Sequence, residues 1–136
     1  MPLRIREFVQ GKDEAILADI MNKSFKGFDE FRSVSSEDIV ANERAPNFVG
    51  SNIFLAEVNG EPVGMVRAHV DKMRTEKKGF IRMLGVAPEF RRKGIGKALA
   101  EKAIKNLKDR GMETVEGEAV LSQPGGVEFW RHLGFR

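Results

Sequence analysis

Residues 91–97 read Arg-Arg-Lys-Gly-Ile-Gly-Lys and stand between an apolar stretch and an amphipathic one. Glycine has no Cβ, so an anion can approach the backbone closely at positions 94 and 96. The first N–H groups of a helix lack internal partners and carry a partial positive charge, to which neighbouring cations add formal charge. The pattern predicts a phosphate-binding site; the alternative is a solvated basic helix start without a ligand. The predicted phosphate-binding residues are Arg91, Arg92, Lys93, Gly94, Ile95, Gly96 and Lys97.

Two well-known phosphate-binding loops do not fit these residues. A Walker A loop needs a Ser or Thr hydroxyl after its Gly-Lys pair, and here Ala98 follows Lys97. A dinucleotide-binding loop needs a small third residue at the position that Leu99 occupies. Both loop classes are therefore disfavoured.

A strand before this basic loop (residues 91–97) and a helix after it must hold it in place. Residues 80–86 are largely apolar and Pro88 follows them, which favours a strand that ends there. After the loop, apolar residues recur at helical spacing, and Gly111 is well placed as the C-terminal cap. The apolar helix positions are Ile95, Ala98, Leu99, Ala103 and Leu107.

Turn and cap signals place the other elements. Ser35 and Asp38 form a capping-box pattern at the start of a short helix that Pro46 ends. Asn59-Gly60 is the hairpin signal between two strands. The remaining predictions are strands at 3–9, 53–58, 63–70 and 114–121, a helix at 12–22, a Phe-containing loop at 24–33 and a last helix opened by Pro124.

The basic loop resembles the Arg-x-x-Gly-x-Gly loop of the GCN5-related N-acetyltransferase (GNAT) family, which cradles the pyrophosphate of acetyl-coenzyme A. Arg91, Gly94 and Gly96 carry the match, and a Leu-x-Val-x-Pro pattern over residues 84–88 precedes it. Residues 129–135, Phe-Trp-Arg-His-Leu-Gly-Phe, are similar to a later signature of the family. The resemblance covers residues 80–136 in detail and the first half of the chain in outline.

The resemblance implies an α/β (α+β) architecture, the acyl-CoA N-acyltransferase fold. There a mixed, mostly antiparallel central sheet is flanked by helices, and strands 4 and 5 splay apart to admit the pantetheine arm. Residues 1–136 are expected to form one such domain. The family usually has two further strands after its Gly-Phe turn, so we expect the final strand or strands to be missing here. An open sheet edge favours association, and a homodimer is one expected way to cover it.

Backbone groups near the end of the fourth strand are the expected partners of the pantetheine arm. The resemblance assigns this role to Leu84, Gly85 and Val86. The N–H of Leu84 is the candidate oxyanion donor, because a bulge there would leave it without a ladder partner. The alternative for all three residues is ordinary strand pairing.

The family's proton-handling groups are missing from their usual positions. Its glutamate base on the fourth strand corresponds to Phe80 or Arg82 here, and its tyrosine acid corresponds to Trp130. An indole N–H donates without ionising, so Trp130 is expected to contact the cofactor and orient its sulfur, not to reprotonate it.

Substitutes for the missing base can be proposed. Glu118 shares a face of the fifth strand with Glu116 and is the candidate base; the alternative is a solvated strand face. His69 has a reference pKa that suits base catalysis, with an ordinary strand histidine as the alternative. Asp29 and Glu30 lie where the family often contacts its acceptor, and they could attract a cationic amine.

Bulk composition narrows the remaining possibilities. A chain of 136 residues suits one domain, and the absence of cysteine excludes disulfides, a thiol nucleophile and most zinc sites, so no metal site is expected. No apolar run approaches the ~20 residues of a membrane span, and residues 1–6 do not resemble a signal peptide, so we expect a cytoplasmic protein without a membrane partner. An anionic cofactor explains part of the net charge of +3 without nucleic acid.

We therefore expect an enzyme that moves an acetyl group from acetyl-coenzyme A, its co-substrate, to a primary amine of a small molecule or peptide. The alternative is a non-catalytic acyl-coenzyme A-binding or regulatory domain, such as one half of a tandem pair. The missing Glu and Tyr and the early end of the chain favour that alternative.

Overall fold

Helices cover both faces of a central sheet in a computed structural model of the chain, which describes residues 2–27, 31–45, 48, 50–71, 75–117 and 126–135. The helices are α1 (Glu14–Phe25), α2 (Ser36–Glu43), α3 (Ile95–Asp109) and α4 (Gly126–His132). The strands are β1 (Leu3–Glu7), β2 (Ser51–Val58), β3 (Glu61–Val70), β4 (Lys78–Val86) and β5 (Thr114–Gly117). A short 3-10 turn, Pro88–Phe90, lies between β4 and α3.

The strands lie side by side in chain order, β1-β2-β3-β4-β5. Neighbours from β1 to β4 are antiparallel, and β4 pairs with β5 in parallel. The helix α3 provides the crossover that a parallel pair requires. Between β2 and β3, Asn59 and Gly60 have φ angles of 53° and 81°, the left-handed values that a type I′ hairpin turn needs. The predicted mixed, mostly antiparallel sheet and its Asn-Gly hairpin are confirmed.

One face of the sheet packs against α3. The side chains of Leu99, Ala103 and Leu107 on this helix have 0% exposed surface, which confirms the predicted buried stripe. The helix approaches the sheet so closely that a Cβ on Gly79 of β4 would lie 2.7 Å from Leu107 Cδ2. We call this side of the sheet the α3 face.

The end of α3 follows the predicted glycine cap. Gly111 has φ of 89°, its N–H donates to the Lys108 carbonyl at 2.9 Å, and the Met112 N–H donates to the Leu107 carbonyl at 3.0 Å. These two bonds form a Schellman motif, in which a left-handed residue satisfies the last carbonyls of a helix.

The opposite face of the sheet packs against α1 and α2. At the start of α2 the predicted capping box is present, because Ser35 Oγ accepts from the Asp38 N–H and Asp38 accepts from the Ser35 N–H. We call this side the α1–α2 face. Its buried apolar residues are Leu17, Ala18, Ile20, Met21, Phe25, Ile39, Leu55 and Met65.

Some predicted boundaries are wrong. The first helix was expected at 12–22, but it begins at Glu14 and continues to Phe25, so Ser24 and Phe25 form its last turn and not a loop. Both residues are buried against the sheet, and that tertiary packing extends the helix. Of the predicted strand at 114–121, residues 118–121 lie outside the described residues, as do Pro124, Asp29 and Glu30.

Buried acidic groups fix the start of α1. Asp13 is 1% exposed and accepts from Arg6 of β1 at 2.7 Å and 3.1 Å, and this guanidinium lowers the pKa of Asp13. Next to it, the Glu14 carboxylate accepts from the Gly11 N–H and shares a hydrogen bond with Glu43 of α2. Burial, followed by this contact with Glu14, raises the pKa of Glu43 to about 7, whereas the pKa of Glu14 is lowered.

Candidate active site

The basic loop leads into an uncapped start of α3. Gly94 occupies the N-cap position with φ of 82°, and no side chain there caps the helix. In the described part of the chain, the N–H groups of residues 95–97 have no hydrogen-bond partner, since the first intrahelical bond runs from Ala98 to Gly94. A Cβ on Gly94 would meet nothing within 4 Å. The loop thus presents free donors around open space, which is the geometry that an anion needs.

Arg91 differs from the other cations of the loop. Its Nε donates to the Val86 carbonyl at 3.0 Å, and its Nη2 donates to the Ser24 carbonyl at 2.7 Å. The side chain therefore fastens the loop to the ends of β4 and α1. This structural role was not predicted from the sequence, because Ser24 lies 67 residues away along the chain.

The remaining loop cations are exposed. Lys93 Nζ lies 5.4 Å from the centre of the Phe90 ring, and Lys97 Nζ lies 4.0 Å from a carboxylate oxygen of Glu101. Arg92 adopts a left-handed φ of 62° and has no ion pair with a described carboxylate. These three side chains can reach an anion at the helix start without first breaking a buried contact.

A bulge interrupts β4 next to Leu84, where the family resemblance implies one. Met65 pairs with Gly85, but Arg67 pairs with Arg82, so β4 carries one extra residue between these pairs. Met83 has a left-handed φ of 57° there, directly before Leu84. A bulge re-aims backbone groups next to a ladder, so its position fits the oxyanion role predicted for the Leu84 N–H.

The described part of β5 pairs with only the first half of the outer edge of β4. This parallel pairing ends at Ile81 and Gly117, whereas β4 itself continues to Val86. This is the edge predicted to receive the pantetheine arm. The candidate base Glu118 lies outside the described residues. Its neighbour Glu116 lies 3.6 Å from Lys78 in an exposed ion pair.

Trp130 is part of the core at the end of the sheet. It is 7% exposed, and a Cβ on Gly117 would lie 2.9 Å from the indole ring. The Phe135 ring centre lies 4.8 Å from the Trp130 ring centre. Phe129 is the aromatic residue at the basic loop instead, because a Cβ on Gly96 would lie 3.4 Å from its ring. The sequence shows the aromatic pair Phe129-Trp130, but which ring packs in the core and which lies at the basic loop depends on how α4 is rotated.

The last turn of α1 touches the backbone of β4 at the predicted pantetheine site. A Cβ on Gly85 would lie 2.7 Å from Phe25 Cζ and 2.8 Å from Ser24 Cβ. Ser24 Oγ is buried and has no hydrogen-bond partner in the parts of the chain that the structure describes. Gly85 is thus required for close helix packing as well as available for a backbone contact.

Arg67 and Arg82, which we call the arginine pair, lie opposite each other on the α1–α2 face next to the bulge. Arg67 Nε donates to Ser51 Oγ at 2.7 Å, and the Arg82 guanidinium lies 4.9 Å from the centre of the Phe80 ring. Neither side chain forms an ion pair with a carboxylate among the described residues. Burial and then the charge of Arg82 lower the pKa of Arg67.

His69 is buried beside the arginine pair. Its Nδ1 lies 2.8 Å from Ser51 Oγ, which already accepts from Arg67, so we assign the hydroxyl proton to that bond. Burial lowers the pKa of His69, and the charges of Arg67 and Arg82 lower it further. A neutral, 7% exposed ring in this position orients Ser51 and Arg67.

Metal-binding groups and membrane-spanning helices are both absent from the described residues. Among the described residues, no group of three or more His, Asp or Glu side chains is placed to hold a metal ion. None of the described helices combines the length and apolar character needed to cross a bilayer.

Comparison with known proteins supports the resemblance seen in the sequence. The profile of the acetyltransferase (GNAT) family matches residues 17–135. An uncharacterized N-acetyltransferase of Methanocaldococcus jannaschii is 39% identical over 85 residues, which are 60% of this chain and 38% of that protein. A mycothiol acetyltransferase of Stackebrandtia nassauensis is 33% identical over 135 residues, which are 98% of this chain and 44% of that protein. The chain thus spans less than half the length of these two relatives.

A solved structure shares the architecture. The PaiA N-acetyltransferase of Thermoplasma acidophilum, crystallised in complex with coenzyme A, matches with a TM-score of 0.79 and 19% identity. The match covers 100% of this chain and 91% of that one. At this level of identity the likeness shows the fold.

Proposed function

Because the chain belongs to the acetyltransferase (GNAT) family, we propose that it is an N-acetyltransferase that uses acetyl-coenzyme A and acts on a primary amine. The basic loop is proposed to bind the pyrophosphate, and residues 84–86 the pantetheine arm. The proposal agrees with the resemblance of the loop and with the relatives named as acetyltransferases.

The observation that carries this proposal is the open start of α3. In the described part of the chain, the N–H groups of residues 95–97 have no protein partner, and the space above Gly94 is open. Arg92, Lys93 and Lys97 add positive charge beside these donors, and all three residues are exposed. Backbone donors at a helix start combined with free cations suit a diphosphate.

The chemistry is proposed to take place at the β4 bulge. When bound, acetyl-coenzyme A supplies a thioester carbonyl, to which the neutral amine forms a C–N bond while the C–S bond breaks. The Leu84 N–H is the proposed donor to the carbonyl oxygen. The indole of Trp130 does not ionise, so the thiolate is proposed to take its proton from solvent. The amine loses its proton to solvent or to Glu118.

A direct binding measurement tests the donor site. Arg92→Glu places a negative charge at the helix start and should weaken acetyl-coenzyme A binding about tenfold or more in calorimetry. Lys108→Glu makes the same charge change at the other end of α3 and serves as the matched control. Equal affinity of both variants would exclude the basic loop as the phosphate site.

Turnover separates the enzyme from its alternative. The occupation of the family's base position by Phe80 or Arg82 favours a non-catalytic acyl-coenzyme A-binding domain as the second candidate. Thiol release should be detected with at least one class of primary amine and should rise with pH as the amine loses its proton. Tight binding of acetyl-coenzyme A without thiol release for any amine would favour the second candidate.

Association and location also remain proposals. An open cavity of about 810 Å³ lies beside β5, where Val115, Trp130 and Phe135 are among its lining residues. We propose that a second copy of the chain covers this edge, which light scattering in solution can test. We also propose a cytoplasmic location. The acceptor is proposed to be a small molecule or a peptide, not nucleic acid or a membrane.

A further inference from the structure

We propose that the acceptor amine carries an anionic group, a carboxylate or a phosphate, which the arginine pair binds while the amine faces the bulge of β4. The inference rests on the transferase activity proposed above. It names the class of acceptor for this chain, which membership of the family does not specify.

The first argument is position. Arg67 and Arg82 are register partners, so their side chains leave the sheet on the same face about 5 Å apart. That face is the one that carries Met65 and Met83 beneath α1 and α2. Arg82 directly precedes the bulge at Met83, where the acetyl group is proposed to lie. An anion held between the two guanidinium groups therefore lies within one small molecule's length of the reacting carbonyl.

The second argument is charge. Like charges directly opposite each other on a sheet destabilise it, and the described residues supply no carboxylate to this pair. The nearby carboxylate of Glu116 is paired with Lys78 instead. Partial burial of Arg67 strengthens the repulsion, because water screens the two charges less. A bound anion would relieve this repulsion.

The third argument is that a neighbouring side chain orients each guanidinium group without occupying all of its N–H donors. Among the described residues, the only hydrogen bond of Arg67 runs from its Nε to Ser51, which His69 orients in turn, so its two terminal nitrogens have no partner there. Arg82 lies over the Phe80 ring, and its N–H groups have no hydrogen-bond partner in the part of the chain that the structure describes. Arginine N–H groups in a fixed orientation bind carboxylate or phosphate oxygens two at a time.

The same charges disfavour other acceptors. A polyamine would bring further positive charge to the arginine pair and would be repelled. For an anionic acceptor, the two cations also lower the pKa of the amine, which increases its uncharged, nucleophilic fraction. This effect compensates in part for the missing glutamate base.

Matched acceptor pairs test the proposal in the full chain. Glycine is compared with glycinamide, and phosphoethanolamine with ethanolamine, so that the two arms distinguish a carboxylate from a phosphate. The wild type should prefer the anionic member of at least one pair by about tenfold or more in kcat/KM. Arg67→Gln and Arg82→Gln should remove this preference through KM and leave the KM of acetyl-coenzyme A unchanged. Arg82→Lys should restore part of it.

Two controls keep the outcome clear. Circular dichroism and the melting temperature establish that each variant is folded, and Arg82→Glu should reverse the preference toward ethanolamine or glycinamide. If no amine is acetylated, the transferase proposal fails. Binding of glycine and phosphoethanolamine to the arginine pair is then measured by calorimetry in the presence of coenzyme A. Equal kcat/KM within both pairs, or anion binding that survives both Gln substitutions, would overturn the inference.

Discussion

On the α3 face of the sheet the buried core is apolar and includes the aromatic rings of Phe54 and Trp130, whereas the α1–α2 face also buries Asp13, Glu14 and His69. The proposed donor site at the start of α3 depends on main-chain N–H groups and glycines. The proposed acceptor site depends on side chains that three different strands, β2, β3 and β4, bring together. From this difference we infer that the α3 face offers a general way to hold an anion, and we propose that the other face supplies acceptor selectivity through the arginine pair.

Leu99→Ala should produce the largest loss of stability and tests the α3 face. Leu99 is 0% exposed and contacts the sheet beside Gly64, so its truncation leaves a cavity. We expect the free energy of unfolding to fall by about 3 kcal/mol in a urea titration. The preference of the folded variant for one acceptor over another should not change. A changed preference would contradict the separation of the two faces.

Arg91→Ala should have an intermediate effect, because the side chain joins the two faces. Loss of its bonds to the carbonyls of Ser24 and Val86 should cost about 1–2 kcal/mol of unfolding free energy. Arg92→Ala is the control, since Arg92 makes no such bonds, and it should weaken acetyl-coenzyme A binding at unchanged stability. If both variants lose stability equally, Arg91 does not have the structural role described above.

Glu43→Gln should change how stability depends on pH. The folded-state pKa of Glu43 is raised to about 7 from its ordinary value of 4.5. The protonated carboxyl therefore stabilises the fold fully below pH 4.5, and this stabilisation is lost as the pH rises through about 7. The lowered pKa of Glu14 has the opposite effect at lower pH. The free energy of unfolding of the wild type should fall by on the order of 1 kcal/mol between pH 5 and 8, after allowance for solvent screening. That of Glu43→Gln should not fall in this way.

Urea titrations at several pH values measure this difference. Glu37→Gln, an exposed change on the same helix, serves as the control and should follow the wild type. A wild-type pH dependence that persists in Glu43→Gln would assign the titration to other groups.

Lys97→Ala should have the smallest effect on stability. Lys97 and Glu101 are both mostly exposed at 4.0 Å, so the loss should stay below about 0.5 kcal/mol. Acetyl-coenzyme A affinity should nevertheless fall several-fold, because the ammonium is proposed to face the phosphate. Unchanged affinity in calorimetry would remove Lys97 from the donor site.

Local signals in the sequence predicted much of the fold. The capping box at Ser35, the hairpin at Asn59-Gly60 and the glycine cap at Gly111 each depend on a few neighbouring residues, and each is confirmed. The sheet architecture followed from a family resemblance carried mainly by the second half of the chain. The basic loop could be recognised for the same reason, because its glycines and cations are contiguous.

The acceptor side could not be predicted in this way. Ser24 and Phe25 were expected in a loop because their helical turn depends on Gly85, which is distant in sequence. The pairing of Arg67 with Arg82 depends on the register of two strands, and the extra residue at the bulge sets that register. Periodicity within one strand contains no information about its partner's register.

The extra residue in β4 has a consequence for how the strand would tolerate a deletion. Arg82 and Met83 lie on the same side of β4, whereas Ile81 and Leu84 belong to the core on the other side. Deleting Met83 would restore the regular alternation of the strand and leave Ile81, Leu84 and Gly85 on their present faces. Such a variant should keep the sheet but lose the bulge that re-aims the backbone before Leu84, and with it the proposed oxyanion donor.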